Sequence, residues 1–394
     1  MYITPNLFQS PHLLRAWFCA AIKVGMPAVP LPQLPPTCPC PRSDGIPTHP
    51  PIPMKTARPA PAKEQLAQLW EAAGGSHDIH EVDTIQGEKV RAVYRLRFRN
   101  GHPPVIAKHC PAKDAHAEHR VYHEILPAWG VEGPAAYGLA ASDDPGRHWL
   151  FMADVGGRPY DPSLHADREL AAEWLATLHI LADQHGVPPA LKDRSYEYYW
   201  PSLTKCTELL SKHSANPVLS DDDQLLLRSL HEFSATLEHY WQDIAAFCRS
   251  MPQALIHGDF KEDNMRVVDG PEGPRIVTFD WANVGWAAPC LDLAKFTGYS
   301  VDPDLEIYLQ RFQQHWPAID KSAIVRLAYI GEIFRWVETV RWHVEDIEYG
   351  KHQMAMSRMS VYETWMNDIR RMEPWQESDV VSSGRWQINL KHWH

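Results

Sequence analysis

The sequence predicts an α+β fold in two lobes, a small one built on an antiparallel sheet and a larger, mostly helical one. Three observations predict it. Residues 78–152 alternate strand-like runs with clusters of turn formers, and beyond residue 157 helical periodicity dominates. The length of 394 residues is long for one domain and comfortable for two lobes. With 44% hydrophobic residues and 16 Trp, the chain can fill a sizeable core.

Residues 1–61 hold 15 of the 34 Pro and no acidic residue before Asp44. Such a stretch cannot bury enough apolar surface to order itself, so it reads as a disordered or non-native extension. Two alternatives stay open. One is organellar targeting, for which Arg15, Lys23 and Arg42 supply little basic content; the other is translation starting at Met54. The small lobe is then 62–153, the large lobe 154–373 and a tail 374–394.

The small lobe opens with a helix over Lys63–Ala73, with Leu66, Leu69, Trp70 and Ala73 on one side. Asp78–Val90 and Ala92–Arg99 read as strands joined by the turn Gln86-Gly87-Glu88-Lys89. Asn100-Gly101 turns the chain into the strand Val105-Ile106-Ala107-Lys108. A helix follows over Lys113–Leu126. At about 100° per residue, Glu118 shares the inward face of Tyr122 and Ile125, while Glu124 falls off it. His116, His119 and His123 have a metal-like spacing, but nothing specifies a further ligand, so they read as a surface helix. Ala135–Ala141 and His148–Met152 form a second hairpin through Asp143-Asp144-Pro145-Gly146. Ala153-Asp154-Val155-Gly156-Gly157 crosses into the large lobe.

There Asp167 reads as a helix N-cap and Gly186 as the stop, with Leu170, Trp174, Leu178 and Leu181 as the core stripe. Residues 221–249, Leu305–Trp316 and Ile324–Asp346 read as further helices.

The chemistry concentrates in His257-Gly258-Asp259-Phe260-Lys261-Glu262-Asp263-Asn264. Met265-Arg266-Val267-Val268 reads as a strand and residues 269–274 as a turn. Ile276-Val277-Thr278-Phe279 returns to Asp280, sixteen residues after Asn264. The hairpin folds Asp280 back toward Asn264. An Asp, an Asn five residues on and a second Asp beyond a hairpin are what phosphoryl transfer from ATP requires. Asp259 would take the proton of the attacking hydroxyl. Asn264 and Asp280 would hold Mg²⁺, leaving its other positions to phosphate and water.

These residues resemble the aminoglycoside phosphotransferase and choline kinase-like family, a branch of the protein-kinase-like fold. His257-Gly258-Asp259 resembles its first motif. Asp280-Trp281-Ala282-Asn283-Val284-Gly285 followed by Pro289-Cys290-Leu291-Asp292-Leu293-Ala294 resembles its second. The resemblance covers roughly residues 63–370. It implies ATP bound between the lobes, with GTP an alternative donor. Lys108, oriented by Glu118, would grip the α- and β-phosphates, and Gly87 would lie in the loop over them, although no GxGxxG is present. Lys261 would neutralise γ-phosphate charge. Asp292 would brace the catalytic loop, and His179, in Leu178-His179, would be a packing residue.

The expected activity is that of a small-molecule kinase, an ATP-dependent phosphotransferase with an alcohol group as acceptor. Only eleven residues separate Asp280 from Asp292 and no Ala-Pro-Glu follows, which counts against a protein acceptor. An aminoglycoside, an amino alcohol or a sugar-like molecule fits better. The net charge of -11 would suit a cationic one and argues against nucleic acid. Glu332, Glu338, Glu345, Asp346 and Glu348 with Trp336 and Trp342 could hold an amine, against the simpler reading of an acidic surface over packed Trp. Tyr196, Tyr198, Tyr199 and Trp200 are an alternative pocket wall. The rival readings are a nucleotide-binding pseudokinase and a protein kinase of the same fold. Seven scattered Cys without a CxxC suit a reducing, cytoplasmic setting, and no run of 18 apolar residues suggests a membrane span.

Overall fold

The structure, a computed structural model, describes residues 61–75, 78–87, 91–99, 101–294 and 304–371. All lie in the compact unit Ala57–His394. The expected extension up to residue 60, the tail from residue 374 and two residues of the expected phosphate-covering turn, Glu88 and Lys89, fall outside the described residues.

The small lobe is the predicted antiparallel sheet. Helix α1 (Lys63–Ala72) buries Leu66 and Trp70. Strands β1 (Ile79–Gly87), β2 (Ala92–Phe98) and β3 (Val105–Pro111) follow in order. Helix α2 (Ala112–Arg120) runs on through a π-helical stretch, Val121–Ile125, into Leu126–Ala128. Strands β4 (Ala136–Ala141) and β5 (Arg147–Ala153) complete a sheet of order β1-β2-β3-β5-β4. Strand β3 is central, and its apolar run Val105-Ile106-Ala107 is buried. Lys108 and His109 are buried with it. One face of the sheet packs Tyr94, Leu96 and Phe151 against Leu66 and Trp70. The other packs Ile106, Tyr122, Ile125 and Leu150 into one cluster with Leu178, Leu255, Trp281 and Val284 of the large lobe. This shared apolar cluster sets the segment around Trp281 and Val284 against the sheet.

After β6 (Arg158–Pro159) come the helices α3 (His165–His185), α4 (Tyr196–His213), α5 (Asp221–His239) and α6 (Trp241–Ser250). Strands β7 (Ala254–Ile256), β8 (Met265–Gly270), β9 (Gly273–Thr278) and β10 (Gly285–Ala287) carry the motif residues. They form the sheet β6-β8-β9 and the pair β10-β7. Helices α7 (Cys290–Leu293), α8 (Leu305–Gln313), α9 (Lys321–Glu348) and α10 (His352–Arg371) finish the lobe. Helix α9 is its axis. Leu327, Ile330, Phe334, Trp336, Val337 and Val344 point into the core from several sides. It passes so close to α7 that a Cβ on Gly331 would lie 1.9 Å from the Cys290 carbonyl oxygen. No helix of the described residues is long and apolar enough to cross a membrane. The described cysteines Cys110, Cys206, Cys248 and Cys290 are free.

Four expectations need correction. Asp167 does not cap α3, which starts at His165. Its carboxylate instead accepts from Arg158 at 2.6 and 2.5 Å and from the Asp161 amide at 2.9 Å. The deep face of α3 is Ala171, Leu175, Leu178 and Ala182; Leu170, Trp174 and Leu181 are only half-buried. The expected helix over 221–249 breaks at Tyr240, and Leu305–Trp316 ends early at Gln313. Helices α4 and α10 were not expected; Pro201 interrupts the helical signal of the first.

Helix α10 is tied to α9 by polar as well as apolar contacts. Trp336 Nε1 donates to the Tyr362 carbonyl at 3.1 Å, and His343 Nδ1 lies 2.7 Å from the Tyr362 hydroxyl. Burial, with Arg358 adding, holds the His343 imidazole down to about 4 from its ordinary 6.5. Below pH 6.5 the unfolded chain takes up a proton here that the folded protein refuses until about pH 4. The stability this group contributes is therefore complete above pH 6.5 and lost as pH falls toward 4. His343→Gln should lessen the loss of stability across that window, read from denaturant midpoints. An undiminished loss in the variant contradicts this.

Candidate active site

The site is built on the β8–β9 hairpin. Met265 pairs with Thr278, so the flanking residues Asn264 and Phe279 also meet, and the Phe279 amide donates to the Asn264 carbonyl at 2.9 Å. The next residue, Asp280, has φ 64° and ψ 56°, the left-handed region. Asp tolerates that region better than most side chains, and non-glycine residues there cluster at functional sites. Its amide donates to the Tyr122 hydroxyl at 2.9 Å, and that hydroxyl donates to Glu118 Oε2 at 3.3 Å. Tyr122 sits in the π-helical stretch of the helix, a local distortion that often marks functional sites.

Lys108 joins these pieces. Its ammonium lies 2.5 Å from Glu118 Oε1 and 2.8 Å from Asp280 Oδ1. Arg91, beside β2, lies 3.6 Å from Asp280 Oδ2 and 3.1 Å from Asp114 Oδ2. Burial disfavours the Lys108 charge, but Asp280 and Glu118 outweigh it and raise the ammonium above its ordinary value. Burial also works against charge on Asp280, yet Lys108 and Arg91 hold that carboxyl well below the usual carboxylate range. Glu118, fully buried, is pushed up to about 7 by burial against the pull of Lys108.

The loop 257–264 is a second cluster. Asp292 accepts from the His257 amide at 2.7 Å and the Gly258 amide at 2.9 Å. His179 backs it at 3.5 Å and reaches the Tyr308 hydroxyl at 3.0 Å. The burial cost to Asp292 is outweighed, first by His179, and its carboxyl is held below its ordinary value. Gly258 has φ +75°, and a Cβ there would lie 2.4 Å from the Asn283 carbonyl oxygen. Asp259 is 2% exposed. Its Oδ2 accepts from Asn264 Nδ2 and from Lys261 Nζ, each at 3.0 Å. Its Oδ1 is buried without a hydrogen-bond partner among the described residues.

The donor set suits a hard cation shared with a phosphate. The Asn264 amide nitrogen is committed to Asp259, at 2.8 Å from its carbonyl and 3.0 Å from its carboxylate, which leaves the amide oxygen on the far side. Across the hairpin end stands the ionised Asp280. One amide oxygen and one carboxylate are too few to hold an ion alone, and no group of three His, Cys, Asp or Glu that could do so occurs among the described residues. An ion here therefore needs further ligands, phosphate oxygens or water.

The structure thus brings Lys108, Glu118 and Asp280 into contact, and Asp259, Lys261 and Asn264 into contact. The hairpin end joins the two sets. Gly87 is the last residue of β1, paired with Ala92. Of the other sequence candidates, Glu332 and Trp336 are fully buried, and Glu332 accepts from Trp365 Nε1 at 2.8 Å. Glu345 pairs with Arg341, Asp346 with Lys351 and Glu348 with Lys212. That face is an array of paired charges. Tyr199 is buried, stacked on Phe334 with ring centroids 4.4 Å apart. Two residues in contact with the site went unread, Arg91 and Arg194. Arg194 holds Asn283 by hydrogen bonds of 3.2 Å to its carbonyl and 3.0 Å to its side chain. Nothing local marks either residue, whose partners are distant in sequence. Tyr122 was readable as inward-facing, being one helical turn from Glu118.

Residues 81–324 match the family APH, described as the phosphotransferase enzyme family. The chain belongs to this family. It is a phosphotransferase with a protein-kinase-like fold. Among solved structures it is similar to spectinomycin phosphotransferase APH(9)-Ia in complex with ADP and spectinomycin. They share 15% identity over 79% of this chain and 95% of that one, with a TM-score of 0.52. It is also similar to ADP-bound aminoglycoside phosphotransferase APH(2'')-Ib, at 11% identity over 77% of this chain and 98% of that one, TM-score 0.50. At these identities the likeness shows the fold. No curated protein sequence matches the chain.

Gly258→Ala should destabilise the phosphotransferase by more than about 1 kcal/mol, because the new methyl meets the Asn283 carbonyl at a positive φ. Thermal or denaturant melts check it. A variant as stable as the parent would mean that the loop has room it does not show.

Proposed function

We propose that this phosphotransferase moves the γ-phosphate of ATP to a hydroxyl of a small acceptor. The two halves of the chain divide the work, with 62–153 binding nucleotide and 154–373 carrying catalysis and the acceptor. One observation carries the reading: Asp280 meets Lys108 on one side and, through Phe279, Asn264 on the other. A phosphate-binding cation, two Mg²⁺ ligands and a carboxylate base then sit around one point.

Lys108, held in direction by Glu118, grips the α- and β-phosphates. Asn264 and Asp280 hold Mg²⁺, which when bound neutralises phosphate charge. Asp259 orients the acceptor hydroxyl and takes its proton. Lys261, 3.0 Å from Asp259 Oδ2, offsets the charge on the γ-phosphate. Asp292 keeps the loop amides in place without touching nucleotide. Positioning and charge stabilisation supply most of the acceleration.

ATP is favoured as donor because both similar structures hold ADP. An amino alcohol, a sugar or an aminoglycoside is favoured as acceptor, spectinomycin being the ligand of one of them. The short stretch from Asp280 to Asp292 counts against a protein acceptor.

The test is phosphate transfer from ATP over a panel of amino alcohols, sugars and aminoglycosides. On whichever acceptor turns over, Asp259→Asn should cut kcat at least about 100-fold. Its ADP affinity should stay within about twofold, since Asp259 does not grip the nucleotide. Unchanged turnover in the variant, or no turnover on any acceptor despite firm Mg·ATP binding, contradicts the proposal.

A further inference from the structure

Arg91 has no role in the mechanism above, yet it is the second cation on Asp280. It immediately precedes β2, opposite the end of β1 that carries Gly87, on the edge of the expected phosphate-covering turn. Its guanidinium bridges two elements. One nitrogen lies 3.1 Å from Asp114 Oδ2 on α2, and the other lies 3.6 Å from Asp280 Oδ2. Lys108 already takes the other oxygen of Asp280 at 2.8 Å. Both oxygens of the Mg²⁺-ligand carboxylate thus face cations of the chain itself.

We propose that Arg91 is a second phosphate-binding residue, and that it competes with a divalent ion for Asp280 Oδ2. The inference rests on the reading of Asp280 as a metal ligand and of the cleft as a nucleotide site. The charges support it. Asp280, Glu118 and Asp114 are three carboxylates whose ion pairs among the described residues are with Lys108 and Arg91. With a divalent ion held by Asp280, the Arg91 guanidinium would face two added positive charges and would leave that oxygen. Asp114 keeps it at the site's edge, where the phosphates are the nearest remaining anions. A guanidinium is suited to such an exchange, because its planar fork pairs with carboxylate and phosphate alike. Arg91 is about one quarter exposed at its side chain (25%), so it can move without breaking the core.

A brace and an exchangeable cation predict different results. Two affinities are measured for the full chain and for Arg91→Gln. Mn²⁺ binding to the nucleotide-free protein is read by electron paramagnetic resonance, and ADP binding in excess Mg²⁺ by calorimetry. Exchange predicts opposite signs: Mn²⁺ binds several-fold tighter to the variant, and ADP binds about tenfold weaker, the effect of one charge-assisted hydrogen bond. Arg91→Lys should recover part of the ADP affinity. If Arg91→Gln moves both affinities the same way, or moves neither, Arg91 is only a structural tie between β2 and α2 and the proposal fails. If the parent protein binds no ADP with or without Mg²⁺, the nucleotide reading itself fails and this inference fails with it.

Discussion

A buried ammonium dictates the architecture of the site. Lys108 sits inside the central strand of the small sheet, where an unpaired charge would be severely penalised. Glu118 and Asp280 make it tolerable, at 2.5 and 2.8 Å. One of these partners is on the adjoining helix, ten residues along, and the other is 172 residues away at the end of a hairpin. Strand, helix and hairpin must therefore meet wherever this lysine is. Tyr122 reinforces the meeting by accepting from the Asp280 backbone and donating to Glu118. Removing one carboxylate would leave the ammonium half satisfied and the others mutually unbalanced.

The loop 257–264 depends on a second buried charge. Asp292 fastens two consecutive loop amides, and the left-handed Gly258 lets the chain turn against Asn283. Arg194 holds Asn283 through its carbonyl and its side chain. Asp292 in turn is placed by the short α7, which lies against Gly331 of α9. The helical core thus reaches the chemistry through one close backbone crossing. Apolar packing does the rest, since Trp281 and Val284 share a cluster with Ile106 and Leu150 of the sheet.

Much of this was legible in the residues. Turn formers between two apolar runs marked the hairpin, and the hairpin placed Asn264 beside Asp280. Helical face arithmetic chose Glu118 over Glu124, and the structure buries the first while leaving the second exposed. What escaped was whatever depends on contacts through space. Arg91 looks like any strand-edge arginine until the fold supplies Asp114 and Asp280. Asp167 has the composition of a cap, but Arg158 claims it. The stripe of α3 was misplaced because its alanines bury as deeply as leucines where helices pack closely. The acidic face of α9 suggested an amine site, yet Lys212, Arg341 and Lys351 neutralise much of it.

The roles proposed for these groups converge on Asp280. Calorimetric titration of ADP, with and without Mg²⁺, into the parent protein and Asp280→Asn tests it most directly. The account predicts that Mg²⁺ tightens ADP binding to the parent and has no such effect on the variant. An equal Mg²⁺ effect in both would contradict it, because the ion would then be held by something other than this carboxylate.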